Sequence, residues 1–187
     1  MSNPLHKYVI EFIHSVWGSK DYFPGPQPIS IERRHFPVVK GGDYLVCEKT
    51  DGERHMLVAL TYDGKKKCLF VNRAFQMFEV PINLKKSAYD GTILDGELYE
   101  GTLMVYDAVL VAGTSVWNKN LNERLEASRS LMKSIIYMKS DKYRLKCKTF
   151  HHMRDYAKFM DEYLPTVQQK IDGLVFTPIN EPIRIGT

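Results

Sequence analysis

The sequence predicts an α+β domain whose sheets are mainly antiparallel and flanked by helices. Three observations predict it. Between Tyr44 and Val111 short apolar runs follow one another closely, separated by Asp-Gly, Asn-Arg and Glu-Gly pairs, which is the pattern of strands joined by tight turns. Segments with helical spacing stand before and after that block instead of alternating with it, which argues against a doubly wound parallel sheet. The chain has 187 residues and is 44% hydrophobic, enough for one domain with a proper core. One unit over 1–187 is therefore expected, with 1–28 as an N-terminal helix and loop leading into it.

The elements follow in order. Leu5, Val9, Phe12, Ile13 and Val16 recur at helical spacing, so the first 16 residues form an amphipathic helix. The stretch from Gly18 to Pro28 is rich in Gly and Pro and reads as a loop. Ile29 to Phe36 is a mixed segment that ends in the basic cluster Arg33-Arg34-His35. Strands are expected at Tyr44–Glu48, Arg54–Tyr62, Lys67–Asn72, Phe75–Val80, Ile93–Tyr99 and Thr102–Val111. Asn122 to Tyr137 reads as a helix with Leu125, Leu131, Met132 and Ile135 inward. A strand at Arg144–Phe150, a helix at Arg154–Leu164 and a strand at Gly173–Thr177 complete the reading.

Composition narrows the function classes. The net charge is +4 and the pI about 8.8, compatible with nucleotide or RNA partners. Cys47, Cys68 and Cys147 are far apart and odd in number, which argues against a disulfide framework and for a reducing, intracellular compartment. No apolar stretch is long enough to span a membrane, and the charged N-terminal segment is no signal peptide. His151-His152 has no third ligand nearby in the sequence, so a zinc site is not expected.

The densest chemistry lies in Glu48-Lys49-Thr50-Asp51-Gly52-Glu53-Arg54, between two strand-like runs. Lysine at a strand end facing a site is a potential nucleophile, because its amine attacks once it sheds its proton. Arginine is a forked donor suited to ribose and phosphate oxygens, and glycine turns the chain at little steric cost. The competing reading is a polar hairpin turn, since Asp-Gly is also a hairpin signal. Leu94-Asp95-Gly96-Glu97-Leu98 places two carboxylates around a glycine, and such a carboxylate can hold Mg²⁺ or a ribose hydroxyl. In Met104-Val105-Tyr106-Asp107-Ala108-Val109 an aromatic and an acid interrupt an apolar strand, and Tyr106 is a candidate stacking platform or a core tyrosine. Ile171-Asp172-Gly173-Leu174-Val175-Phe176 again sets acid and glycine before an apolar strand.

Taken together and in this order, the segments resemble the covalent nucleotidyltransferases, the superfamily of mRNA capping guanylyltransferases and ATP- or NAD-dependent polynucleotide ligases. Lys49-Thr50-Asp51-Gly52-Glu53-Arg54 is similar to the signature lysine motif and Phe70-Val71-Asn72-Arg73 to the motif after it. Asp95-Gly96-Glu97, Val105-Tyr106-Asp107 and Asp172-Gly173-Leu174-Val175-Phe176 are similar to the next three. Several details resemble the capping enzymes more than the ligases. These are Pro28-Ile29-Ser30-Ile31, Leu121-Asn122-Glu123-Arg124-Leu125, Lys148-Thr149-Phe150, and the continuation of the last motif to Thr177-Pro178. The wording Glu48 to His55 points to an enzyme of a large DNA virus.

The resemblance implies a nucleotidyltransferase fold of the ATP-grasp-like, DNA-ligase type and a guanylyltransferase activity. Lys49 would take GMP from GTP as a lysyl-GMP phosphoramidate and pass it to the 5′-diphosphate end of RNA. Arg54 and Arg73 would bind ribose or phosphate, and Glu97 and Asp172 would serve Mg²⁺ or Mn²⁺. Tyr106 and Val175 would sandwich the guanine, and Lys148 would donate to its O6, with Lys146 as a rival. RNA triphosphatase and cap methyltransferase activities in the same protein or complex would be partners. The location would be cytoplasmic, in a viral factory or virion, for a viral enzyme and nuclear for a cellular one. The chain departs from the family pattern after the fourth motif. The fifth motif, with its lysines for the α-phosphate, and the C-terminal oligonucleotide-binding (OB) domain are absent, so a fragment is expected. The alternatives are an ATP-using RNA or DNA ligase adenylation domain and a catalytically incomplete nucleotide-binding module.

Overall fold

The computed structural model describes residues 3–17, 43–133, 135, 142–167, 171–180 and 182–183. The Gly18–Pro28 loop, the Ile29–Phe36 segment and the Arg33-Arg34-His35 cluster lie outside the described residues. The architecture is mixed α/β with mostly antiparallel sheets. Helix α1 is Pro4–Trp17 and α2 is Leu121–Met132. The strands are β1 Tyr44–Thr50, β2 Glu53–Tyr62, β3 Lys65–Asn72, β4 Met77–Glu79, β5 Thr92–Tyr99, β6 Thr102–Val111, β7 Thr114–Ser115, β8 Arg144–Cys147, β9 His151–His152 and β10 Ile171–Pro178.

These strands form two sheets. The larger runs β4-β3-β2-β5-β6-β7, with β8 also on β6, and the smaller runs β10-β1-β9. The β6–β8 ladder is parallel and all the others are antiparallel. The period of two along β2 explains why the larger sheet is central. Leu57 and Ala59 face a core completed by Phe70, Ile82, Tyr89, Val105 and Leu131. Met56, Val58 and Leu60 face the other way, onto Leu5, Val9 and Ile13 of α1. With both faces covered, β2 reads as an almost unbroken apolar run.

The smaller sheet is covered in the same manner. Leu45 packs with Leu121 and Leu125 of α2, while Val46 packs with Met153 and Phe159. The α2 start is fixed by Asn120, whose side chain accepts from the Glu123 N–H at 2.9 Å, an N-cap that satisfies an otherwise orphaned donor. Its inner face is Leu121, Arg124, Leu125, Ser128 and Leu131, so Leu125 and Leu131 lie where expected and Met132 and Ile135 are half-buried.

Four expectations change. The helix expected to reach Tyr137 ends as α2 at Met132. The strand expected over Arg144–Phe150 stops at Cys147, and a two-residue strand, β9, follows. The helix expected over Arg154–Leu164 is a succession of 3-10 (Met153–Asp155), α (Tyr156–Lys158), π (Phe159–Tyr163) and 3-10 (Leu164–Thr166) turns. It wraps Phe159 and Tyr163 onto His151, with ring centroids 5.1 and 4.6 Å from the imidazole. The strand expected at Phe75–Val80 shortens to Met77–Glu79, because Phe75 takes a positive φ of 59° in the turn from β3.

Candidate functional site

The Asp51-Gly52 turn is not a hairpin. Strand β1 pairs with β10 and β9, and β2 pairs with β3 and β5. The turn therefore carries the chain from the small sheet to the large one. Lys49 stands on one side of that seam and Arg54 on the other. The Gly52 N–H donates to the Thr50 carbonyl at 3.0 Å, and any Cβ at Gly52 would run into the Leu98 carbonyl oxygen. Glycine is needed here for close approach of two backbones. Lys49 is exposed, between buried Glu48 and Thr50. Across the small sheet its register partner is Gly173, where the ladder with β10 shifts.

Arg54 enters the large sheet opposite Glu97. Its guanidinium donates to Asp95 from Nη2 at 2.7 Å and from Nε at 3.2 Å. The Tyr106 hydroxyl donates to the same carboxylate at 3.3 Å. Asp95 in turn is the register partner of Asp107 on β6. Asp107 accepts from Arg124 Nε at 2.7 Å and Nη2 at 3.3 Å, and Arg124 also donates to the Lys119 carbonyl. Two buried arginine–aspartate pairs thus lie side by side and tie α2 to the strand that carries Tyr106. Neither aspartate is tolerable without its partner, because an isolated buried charge costs far more than an isolated buried apolar group.

The electrostatics follow from burial. Full burial pushes the Asp95 carboxyl above the usual carboxylate range. Arg54 draws it back, and Asp107 pushes it up again. Burial would lower the Arg54 value, but Asp95 overcomes that and holds the guanidinium more firmly protonated than usual. The Tyr106 phenol is pushed well up, by burial first and by Asp95 second. Glu97 is half-buried and raised, again by burial first and then by Asp95. Arg54, Lys148 and Lys49 act in the opposite direction. Lys49, Arg54 and Lys148 are therefore all close enough to act on one carboxyl, Glu97.

Lys148 follows β8, and its N–H extends the ladder to the Val105 carbonyl at 2.7 Å. Its side chain is buried, at 2% exposure. The ammonium donates to the Glu48 carbonyl at 2.5 Å and to the Thr50 hydroxyl, and it lies 3.8 Å from the Glu48 carboxylate. Burial lowers its pKa, and Cys47, Glu48 and Glu97 raise it in part. Of the rivals Lys146 and Lys148, it is Lys148 that reaches the strand of Lys49, whereas Lys146 is exposed on β8. The Tyr163 phenol comes to the same corner. Burial raises it, a hydrogen bond with Thr149 lowers it and Glu48 raises it.

The other expected residues take separate positions. Arg73 is exposed in the turn after β3, one residue past the His55–Asn72 register pair. That puts it at the same sheet end as Arg54. Val175 is half-buried on β10, opposite Cys47. Asp172 lies on β10 next to the partner of Lys49, and its side chain is outside the described residues. No group of three or more His, Cys, Asp or Glu with metal-site geometry occurs among the described residues. Among the described residues the half-buried Glu97 carboxyl is a hard oxygen donor at this seam. One or two carboxylates with substrate phosphates are what Mg²⁺ typically takes from a protein, so this donor set fits such an ion.

Sequence reasoning gave weight to Glu97 and missed the roles of Asp95, Asp107 and Arg124. A signal was present. Asp95 and Asp107 each interrupt a strand that is otherwise apolar, and such acids demand a cationic partner.

The mRNA capping enzyme catalytic-domain family model matches residues 3–187. The chain is 28% identical to the mRNA-capping enzyme subunit alpha of Schizosaccharomyces pombe, over 90% of this chain and 49% of that protein. It is 28% identical to the subunit of the same name from Neurospora crassa, over 88% of this chain and 48% of that protein. It is 25% identical to the mRNA-capping enzyme of Danio rerio, over 85% of this chain and 30% of that protein. The chain spans about half the length of the curated fungal relatives it matches.

Proposed function

We propose, from the premise that this chain belongs to the mRNA capping enzyme catalytic-domain family, that it is the nucleotidyltransferase domain of an mRNA guanylyltransferase and that Lys49 carries the guanylyl group. The observation that carries this reading is the convergence of Lys49, Arg54, Glu97, Tyr106 and Lys148 at one seam. They arrive from strands of both sheets and from the end of β8.

The chemistry is a transfer in two steps. The lone pair of the Lys49 amine attacks the α-phosphorus of GTP. The bond from that phosphorus to the bridging oxygen breaks, pyrophosphate leaves, and the amine gives up a proton. A terminal phosphate oxygen of 5′-diphosphate RNA then attacks the same phosphorus. The nitrogen–phosphorus bond breaks, and the amine takes a proton back. A covalent intermediate divides one difficult substitution into two easier ones, and each transition state spreads negative charge over phosphate oxygens. Arg54 suits the ribose and phosphate oxygens because Asp95, which the Tyr106 hydroxyl bonds in turn, fixes the orientation of its guanidinium. Arg73, at the same sheet end, adds a second cation. Lys148 is assigned to the guanine O6, where adenine would present a donor instead, and such a polar contact discriminates strongly. Tyr106 and Val175 would flank the base.

Glu97 and Asp172 would hold Mg²⁺ or Mn²⁺. When bound, such an ion neutralises triphosphate charge and eases departure of pyrophosphate.

The test is incubation with α-labelled GTP or ATP and either metal, followed by denaturing electrophoresis. The expected product is a GTP-specific, acid-labile adduct that pyrophosphate reverses and that Lys49→Ala and Lys49→Arg both abolish. A normal adduct in Lys49→Ala would sink the assignment of the nucleophile, and an ATP-specific adduct would move the reading to a ligase.

A further inference from the structure

The β8 region carries a cation at every second position: Lys142 before the strand, Arg144 and Lys146 within it, and Lys148 after it. Alternate residues of a strand share a face and recur about 6.6 Å apart. The residues between them look into the protein. Leu145 is buried in the core beneath the large sheet, with Tyr143 against it.

The register decides where the cations face. Lys146 partners Met104 of β6, Met104 partners Glu97 of β5, and Glu97 partners Arg54 of β2. Register partners point to the same side of a sheet, so Lys146 stands in one row with Glu97 and Arg54. One row outward, Arg144 stands with Thr102 and Tyr99. One row inward, Lys148 bonds to Glu48 and Thr50 on either side of Lys49. Asp95 is paired with Arg54 and Glu48 lies beside Lys148, which leaves Glu97 as the carboxylate in the row of Lys146.

Among the described residues β8 pairs only with β6, so the line runs along a sheet edge. Lys142 and Lys146 are exposed and Arg144 is half-buried, and the Lys142 ammonium sits 5.3 Å from the Tyr143 ring. Lysines on an edge strand deter pairing with other chains. That purpose does not require them to line the face that carries Glu97 and Arg54.

We propose that this face of β8 is the track for the acceptor RNA, with the phosphates behind the 5′ end of a single strand lying along Lys146, Arg144 and Lys142. Evenly spaced cations meet an evenly spaced polyanion, and such contacts position a strand without reading its sequence. The proposal rests on the reading of Lys49 as the guanylyl carrier and names where the second substrate lies.

The test uses two variants, Lys142→Gln/Arg144→Gln/Lys146→Gln and Lys146→Glu alone. The single variant changes one exposed side chain and guards against misfolding of the triple. Binding of a short 5′-diphosphate oligoribonucleotide is measured across salt concentrations. Each phosphate contact on a single strand contributes about 0.7 to the slope of log affinity against log salt. Loss of three should flatten the slope by about 2. The affinity lost between about 50 and 200 mM salt then shrinks by roughly 20-fold. Lys146→Glu should flatten it by about 0.7 or more. Adduct formation from GTP alone is read on the same variants and should keep its yield. An unchanged salt slope in both variants overturns the track, whatever the adduct does. A flattened slope in a chain that forms no adduct supports the track and removes the guanylyl-carrier reading, so the two failures are separable.

Discussion

Asp95→Asn is the most informative single change, because it keeps the volume of a side chain and removes one charge. Asp95 is 0% exposed and Arg54 7%, so water cannot replace what is lost. The carboxylate accepts two bonds from Arg54 and one from the Tyr106 hydroxyl. Asparagine offers one carbonyl oxygen to the fork and turns an NH₂ group, a donor, towards another donor. Breaking one partner of a buried ion pair costs about 3–5 kcal/mol, because the other charge stays buried. For a chain of this size 1 kcal/mol corresponds to about 2–4 °C in Tm. A loss of about 4 kcal/mol then lowers Tm by about 8–16 °C. Thermal unfolding followed by circular dichroism measures it. The double variant Arg54→Met/Asp95→Leu should recover most of the loss, since replacing both charges with apolar groups is often close to neutral. Adduct formation should not recover, because Arg54 is gone. A Tm within about 3 °C of wild type for Asp95→Asn, or a double variant as unstable as the sum of its parts, would refute the reasoning.

The exposed Lys49 makes Lys49→Ala a change of function without a change of fold, so Tm should move by less than about 2 °C while the adduct disappears. Gly52→Ala should be destabilising and inactive, since its Cβ meets the Leu98 carbonyl and not a flexible side chain. Gly64→Ala, at φ 72° with open space around it, should cost only about 1 kcal/mol, which denaturant titration can resolve. Cys47 and Cys68 are both pushed by burial from 9.0 up to about 12. The unfolded thiols ionise from about pH 9 while the native ones stay protonated. The native state then binds more protons, and stability falls as pH rises from about 9 to 12. A Cys47→Ala/Cys68→Ala variant should lose part of that slope, and equal slopes in the two proteins would count against it.

Most of the fold was legible because its signals are local. The near-continuous apolar runs of β2, β3 and β6, bounded by turn pairs, mark them as strands buried on both faces, and the 3.6 period of α1 and α2 marks each helix and its inner face. What failed is where a local signal misleads. Asp51-Gly52 has the composition of a hairpin turn, yet β1 and β2 belong to different sheets, because Tyr44 to Thr50 finds its partner in β10, some 120 residues later. No local preference encodes that pairing. The helix expected at Arg154–Leu164 is irregular for a similar reason. Its aromatic residues are drawn onto His151 and Val46 by tertiary packing, which overrides regular hydrogen bonding.

The site divides along the same line. Lys49, Arg54, Glu97 and Tyr106 could be singled out because polar residues beside or within apolar strands are conspicuous, whereas Lys148 was singled out only by the resemblance to the capping enzymes. What held them was hidden, because each support joins segments distant in sequence. Arg54 is aimed by Asp95, 41 positions away. Lys148 is seated by Thr50, 98 positions away. Asp107, beside Asp95, is neutralised by a helix residue, Arg124. This last pair explains why the Leu121 to Leu125 segment belongs with the motifs. Its arginine never approaches Lys49 in sequence, yet without it the carboxylate of Asp107 would stand unpaired next to Asp95 and compete for Arg54. Arg124→Met should therefore reduce adduct formation through Arg54, raising the GTP concentration needed for half-maximal yield. Adding Asp107→Asn to Arg124→Met should restore much of that yield by removing the competing charge. If the double variant is no better than Arg124→Met, then Arg124 acts on the helix alone and the two ion pairs are not coupled.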